Sequence, residues 1–235
     1  MNTQQGFEKY ATYINCQLQP GGKPLAPREA PSRRAVTISR EAGAGGHTVA
    51  EKLAEYLQRR TPAGACPWTV FDRNLVEKVL EDHNMPQSLA RFMPEDRITE
   101  SADVMDELFG LHPPSWTLVR KTSETILHLA ALGNVILIGR GATILTSKLD
   151  YVFHVRLVAS LEKRLATLQE HDHLSRKAAL EFIREEDRGR RRYVKKYFNK
   201  DITDPLLYHL VLNTDLVSFD EAARMIGEAT LASRV

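Results

Sequence analysis

Apolar positions along this chain follow two rhythms in alternation. A short β-rich run from Ala35, Ala-Val-Thr-Ile-Ser, gives way to the cluster Gly43-Ala44-Gly45-Gly46. Beyond it Val49, Leu53, Tyr56 and Leu57 recur at helical spacing, so the unit reads strand, glycine-rich turn, helix. A second short strand, Trp68 to Phe71, ends at Asp72 and is predicted to run into a helix over residues 73–83. A helix from Glu95 to Phe109 follows within a polar stretch. Another, from Trp116 to Leu132, leads through Gly133 into the most apolar strand, Val135 to Ile138, which stops at Gly139-Arg140-Gly141. The pattern then predicts a strand from Tyr151 to Leu157, a helix with Leu161, Leu165 and Leu168 on one face, and a helix from Ser175 to about Arg188. A strand from Leu207 to Leu212 closes the series with a last helix, whose start is marked by Ser218 and Glu221 at capping-box spacing.

Strands alternating with helices predict an α/β domain built on a parallel sheet with both faces covered. The uninterrupted Val-Ile-Leu-Ile strand agrees, because such a strand buries both of its faces. Residues 1–33 differ. Their Gln, Gly and Pro content cannot sustain a regular element, although Phe7, Tyr10 and Ile14 would allow a short helix over residues 7–18. The expectation is a flexible arm that docks on the domain or on a second subunit, the arm then serving a homo-oligomer. The domain proper would span residues 34–235.

Composition narrows the classes. The 235 residues are 43% hydrophobic and 26% charged, with Lys+Arg 32 against Asp+Glu 30. A formal charge of +2 argues against a nucleic-acid coat protein, an acidic tail or a polybasic membrane anchor. Cys16 and Cys66 are too few for a disulfide framework, and a reduced, cytoplasmic setting is expected. No secretory signal is read at the N-terminus. The strongest apolar stretch, between Glu124 and Arg140, falls short of the ~20 residues of a membrane helix. The near-zero charge nevertheless hides segregation. Residues 184–200 carry eight basic side chains and three acids, whereas residues 95–107 carry six acids and one arginine. Tyr193, Tyr197 and Phe198 interleave with the basic run as base stacking would require, but one patch in a near-neutral chain argues against a nucleic-acid partner.

Candidate chemistry gathers where open α/β sheets bind ligands, at the carboxyl ends of the strands: the glycine turn, Asp72 and Gly139-Arg140-Gly141. A glycine-rich turn feeding a helix presents backbone N–H groups and a positive dipole end, which suits phosphate. The bland alternative is a tight strand-to-helix turn. Two phosphate patterns compete. The dinucleotide pattern needs glycine at Thr48, with Asp72 as its acid. The P-loop pattern fits Glu41 to Thr48 but has Glu41 for its first glycine and His47 for its lysine. His171-Asp172-His173 has no second cluster nearby in sequence and reads as a polar loop rather than a metal site.

Ile38-Ser39-Arg40-Glu41 with Gly43, Gly45 and Gly46, then Phe71-Asp72-Arg73, Gly139-Arg140-Gly141, the helix with Arg164, the run Glu186 to Arg192, and Asn213-Thr214 stand in a telling order. Over about residues 34–232 the chain thereby resembles the cytidylate kinase-like family, a branch of the P-loop nucleoside-monophosphate kinases. The resemblance implies a three-layer fold with a central parallel five-stranded sheet, a helical acceptor-binding insertion and an Arg-rich lid at about residues 172–204. It implies transfer of the ATP γ-phosphate, with Mg²⁺, to a nucleotide or another small-molecule acceptor. On that basis Gly43, Ala44, Gly45, Gly46, His47 and Thr48 would cradle the donor phosphates and the Thr48 hydroxyl would ligate Mg²⁺. Arg40 and a protonated His47 would add charge, and Asn213 would sit at the nucleotide. Asp72 and Arg73 would orient the acceptor, Arg140 would grip its phosphate, and Arg188 and Arg192 would close from the lid ahead of Arg190 and Arg191. The chain departs from the family pattern twice. No lysine stands at Gly46 or His47, and Gly141 replaces the aspartate of the cytidylate kinases. These departures sustain an alternative, a nucleotide-binding regulatory or scaffold protein without turnover. A dinucleotide-dependent oxidoreductase loses on Thr48 and on the Arg-rich run.

Overall fold

A computed structural model of the chain describes residues 12, 13, 16, 34–62, 64–72 and 115–233. The helices expected over residues 73–83 and 95–109 and the acidic run lie outside the described residues, as does Arg73. Five strands appear, β1 (Ala35–Arg40), β2 (Thr69–Phe71), β3 (Val135–Ile138), β4 (Val152–Val158) and β5 (Leu210–Asn213). They form one parallel sheet in the order β2-β3-β1-β4-β5. The described helices are α1 (Gly46–Gln58), α2 (Ser115–Leu132), α3 (Ala142–Leu145), α4 (Leu161–His171), α5 (Arg176–Phe198) and α6 (Phe219–Ala232). Among the described residues no helix is long and apolar enough to cross a membrane.

Alternation along the strands sorts the two faces. Val36 and Ile38 of β1, Ile136 and Ile138 of β3, and Phe153, Val155 and Leu157 of β4 meet α1 and α6 in one core. α1 contributes Val49, Leu53 and Leu57 to it, and α6 contributes Ala222, Ala223 and Ile226. Ala35, Val135, Leu137 and Phe71 face the other way, against Ile126, Leu129 and Ala130 of α2 and Ala142 of α3. Helices therefore cover both faces, the three-layer α/β arrangement that the sequence implied. Toward β4 the second face turns polar, because Thr37, Ser39, His154 and Arg156 occupy its buried positions. Ser218 and Glu221 form both hydrogen bonds of the capping box that starts α6.

Two expectations change, the end of one helix and the state of the cysteines. The helix expected to end near Arg188 continues to Phe198. Its buried positions Ala179, Ile183, Glu186, Arg190, Tyr193 and Val194 recur at helical spacing, so the Arg-rich run lies within one continuous helix. α3, four residues long, shows no periodicity that a sequence reading could detect. The N-terminal segment docks on its own domain at Tyr13, which is 0% exposed, donates a hydrogen bond to the Gly133 carbonyl (2.6 Å) and packs edge-on against Phe71. This docking brings Cys16 to the loop before β2, and a Cys16–Cys66 disulfide (Cα–Cα 5.7 Å) replaces the reduced cysteines expected. Asn134 fastens the same loop by donating to the Cys66 carbonyl.

Candidate functional site

β1 ends at Arg40, and Gly43 and Gly45 then take positive φ (80° and 78°) to turn the chain into α1. An L-residue strains in that region, and here space adds a second demand. A β-carbon on Gly43 would strike the backbone of Arg164, and one on Gly45 would strike the Phe219 ring. Gly45 is the N-cap of α1 and offers no side-chain hydrogen bond, so the first-turn N–H groups receive no side-chain cap. Such an end, at the carboxyl edge of the central strand, fits an anionic phosphate. Thr48 lies in that first turn. His47 is exposed on it, with Nδ1 3.3 Å from the Asp72 carboxylate and Nε2 3.5 Å from Glu51. The hydrogen bond that His47 donates to Asp72 raises the His47 pKa above its ordinary value against the opposing effect of burial, so the imidazole carries more charge near neutrality than a free histidine.

Beside this loop a small cleft, open to solvent, lies at the carboxyl ends of β1 and β3. Arg40, Arg140 and Arg190 reach it, together with Ser39, Thr143, Tyr193 and Tyr208. Each guanidinium has its own structural origin. Arg40 closes β1. Arg140 sits between two glycines in a turn of three consecutive positive-φ residues (76°, 53° and 69°) and is 7% exposed. A left-handed arginine costs on the order of 1–2 kcal/mol, and here the geometry aims a buried cation into the cleft. Arg190 comes from the buried face of α5, where its Nη2 donates to Glu186 (2.5 Å). Beneath the cleft Arg156 of β4, 5% exposed, donates to the Ser39 hydroxyl (2.9 Å), to which Tyr208 also donates (3.2 Å).

α5 is fastened to the glycine loop by charge. Asp187 accepts from the Ala42 N–H (2.8 Å) and from Arg164 (2.5 Å), and Arg190 lies 3.6 Å from the same carboxylate. Arg164 in turn lies 3.9 Å from Glu41, which accepts from the Ala159 N–H. These side chains are mostly buried, and paired charges in that setting are costly to break singly.

The structure thus brings Arg40, Gly43 to Thr48, Asp72 and Arg140 to one edge of the sheet. It does not bring Arg188 and Arg192 into the cleft. Arg188 and Arg192 lie on the exposed side of α5, and Arg190, ranked behind them in the sequence reading, lines the cleft. The i, i+4 spacing of Arg188 and Arg192 is real, but it marks the outer face of the helix. The Asn213 side chain accepts from the Asp215 N–H and shapes the turn after β5, while Thr214 ties that turn to the Ala44 carbonyl. Gly141 stands where an aspartate was expected, and the Phe198 ring occupies the space its side chain would enter. Arg156, Asp187 and Tyr208 were missed. For Arg156 a signal existed, since an arginine inside the apolar run Val152–Val158 must find a buried partner. Among the described residues no group of three or more His, Cys, Asp or Glu side chains is placed to hold a metal ion.

No curated protein matches the sequence. Among solved structures, an uncharacterized protein from Eubacterium ventriosum is 19% identical, covers 86% of this chain and 100% of its own, and superposes with a TM-score of 0.62. Shikimate kinase from Bacteroides thetaiotaomicron is 14% identical over 83% of this chain and 96% of its own, with a TM-score of 0.46. Shikimate kinase from Acinetobacter baumannii, in complex with shikimate, is 13% identical over 87% and 99%, with a TM-score of 0.44. The family model described as cytidylate kinase-like matches residues 35–216, which include every strand and the whole of the cleft. That match spans more than half of the chain, and the chain belongs to the cytidylate kinase-like family.

Proposed function

We propose that the protein is an ATP-dependent phosphotransferase whose acceptor is a small anionic molecule. The supporting observation is the convergence of Arg40, Arg140 and Arg190 on a cleft that adjoins the glycine loop. Phosphoryl transfer asks the protein mainly for positioning and for cations around the transferring oxygens. The amides of residues 43–48 would hold the donor phosphates, and Thr48 is the residue that would offer its hydroxyl to Mg²⁺. Bound Mg²⁺ would supply charge neutralisation at the phosphate oxygens. Arg140 and Arg190 would hold the acceptor, with Arg140 using its bidentate fork.

The described cleft lining contains no carboxylate, and Asp72 is engaged by His47. An acceptor oxygen that is already charged, in a phosphate or carboxylate, needs no base to become a nucleophile, whereas a neutral hydroxyl does. The lining therefore favours an anionic nucleophile. The new bond joins that oxygen to the γ-phosphorus, and ADP departs with the bridging oxygen.

The chain with ATP, Mg²⁺ and a panel of nucleoside monophosphates, sugar phosphates and hydroxy acids should release ADP with one of the anionic classes. Arg140→Ala should lower that rate by about 100-fold or more, and His171→Ala should leave it unchanged. The absence of lysine from positions 46 and 47 favours a second reading, a nucleotide-binding protein without turnover. Tight ATP binding with no ADP release for any acceptor would establish that reading instead.

A further inference from the structure

We infer that Arg40 supplies the phosphate-facing cation that a glycine loop of this kind ordinarily draws from the first position of its helix, and that Gly46 is glycine to make room for it. The inference rests on the phosphotransferase reading and gives it a specific residue. In the usual pattern a lysine near the start of the helix reaches the β- and γ-phosphates. Its place falls on His47 when the pattern is laid over Glu41–Thr48. It falls on Gly46, the first residue of α1, when Gly43-Ala44-Gly45 are aligned with the glycines that precede the lysine.

The backbone does not require glycine at that place. Gly43 and Gly45 have positive φ, but Gly46 is helical and is not among the positive-φ glycines. Glycine at a helical position costs up to about 1 kcal/mol relative to alanine, so some other demand keeps it there. Space is that demand. A β-carbon at Gly46 would stand 2.8 Å from Cγ of Arg40, 3.2 Å from its Cβ and 3.3 Å from its Cδ. The stem of Arg40 therefore runs across the place where a lysine stem would begin.

Arg40 is also well placed to take over the lysine's task. Its backbone is fixed in β1 opposite Leu157 of β4, and its side chain lines the same cleft as Arg140 and Arg190. Its guanidinium stays charged at any physiological pH. His47, the other basic residue of the loop, stands on the exposed surface between the carboxylates of Asp72 and Glu51. The positive charge has thus moved from the helix start to the strand end, and the vacated position has lost its side chain.

Titration calorimetry of the full, disulfide-bonded chain with Mg²⁺·ADP tests this through a relocation series. Arg40→Ala should weaken ADP by about 10-fold or more, the loss expected when a charged hydrogen bond to phosphate is removed. Arg40→Ala combined with Gly46→Lys, which returns a cation to the ordinary position, should recover most of that loss. Gly46→Lys alone should bind no better than wild type, because the new stem meets that of Arg40. If Arg40→Ala does not fold, Arg40→Gln carries the same comparison. Wild type that binds no ADP would overturn the functional proposal together with this assignment. Wild type that binds, with Arg40→Ala equally tight or with the double variant no tighter than Arg40→Ala, would overturn the assignment alone.

Discussion

His154 sits in β4 with only 5% of its surface exposed, and its environment is built for a neutral ring. Its Nδ1 lies 2.8 Å from the Thr37 hydroxyl, which is itself 3.0 Å from that of Thr143. The ring stacks on His209 with centroids 4.9 Å apart, and the His209 Nδ1 accepts the His154 backbone N–H. Burial first, and repulsion from His209 second, push the His154 pKa down from 6.5 to about 4. The unfolded chain takes up this proton near pH 6.5 and the folded chain only near pH 4. The stabilising contribution is therefore complete above pH 6.5 and is lost as pH falls through that window. A gap of about 2.5 units at about 1.4 kcal/mol per unit sets the full loss at about 3–4 kcal/mol, of which about 2 kcal/mol is gone by pH 5. Urea unfolding from pH 8 to pH 5 measures it. In His154→Asn the amide can still meet the Thr37 hydroxyl but does not titrate. This variant should show a pH dependence flatter than wild type by about 2 kcal/mol over the same interval, whatever its absolute stability. His209, whose own pKa is lowered by burial, titrates in both proteins and largely cancels in the comparison. Equal pH slopes in the two proteins would refute the reasoning, as would an NMR titration that finds His154 near 6.5 in the folded state.

Further consequences follow from named contacts. Tyr13→Phe leaves the buried Gly133 carbonyl without its hydroxyl donor and should cost about 1 kcal/mol in urea unfolding, while Tyr13→Ala should cost about 3–5 kcal/mol through the cavity it opens. Opening the Cys16–Cys66 bridge releases a loop of sequence separation 50 in the unfolded chain, and oxidised protein should exceed Cys16→Ser/Cys66→Ser in stability by up to about 4 kcal/mol. Asp72→Asn removes the main group that holds the His47 pKa up, so the His47 imidazole should titrate at lower pH by NMR; an unchanged titration would place the cause elsewhere.

The fold was legible because the strands state it twice, once in their apolar content and once in their alternation. Val135 to Ile138, apolar throughout and closed by glycine, read as a strand buried on both faces, and Ser218 with Glu221 read as the opening of a helix. The glycine loop, Asp72 and Arg140 were legible for a different reason: each follows a strand, and strand ends of a parallel sheet meet at one edge. Features that depend on distant partners were not. Arg190 shares the helical stripe of Ala179, Ile183 and Tyr193, a local signal that separates it from Arg188, but only docking of α5 shows that this face meets the cleft. Asp187 reads as one acid in a basic run until the Ala42 N–H is seen to donate to it. Tyr13 and Cys16 lie in a segment of loop-like composition, and their anchoring depends on a pocket made by Phe71, Gly133 and the loop at Cys66. The vacancy at position 46 looked like a lost lysine in the sequence. In the structure it is the space through which Arg40 passes.

Amide NMR during titration with Mg²⁺·ADP tests most directly the claim that this loop holds nucleotide phosphates. Saturable shifts should concentrate on residues 43–48 and extend to the backbone amide and the guanidinium N–H groups of Arg40. ADP that binds while leaving residues 43–48 undisturbed, or that fails to bind at millimolar concentration, would contradict the account.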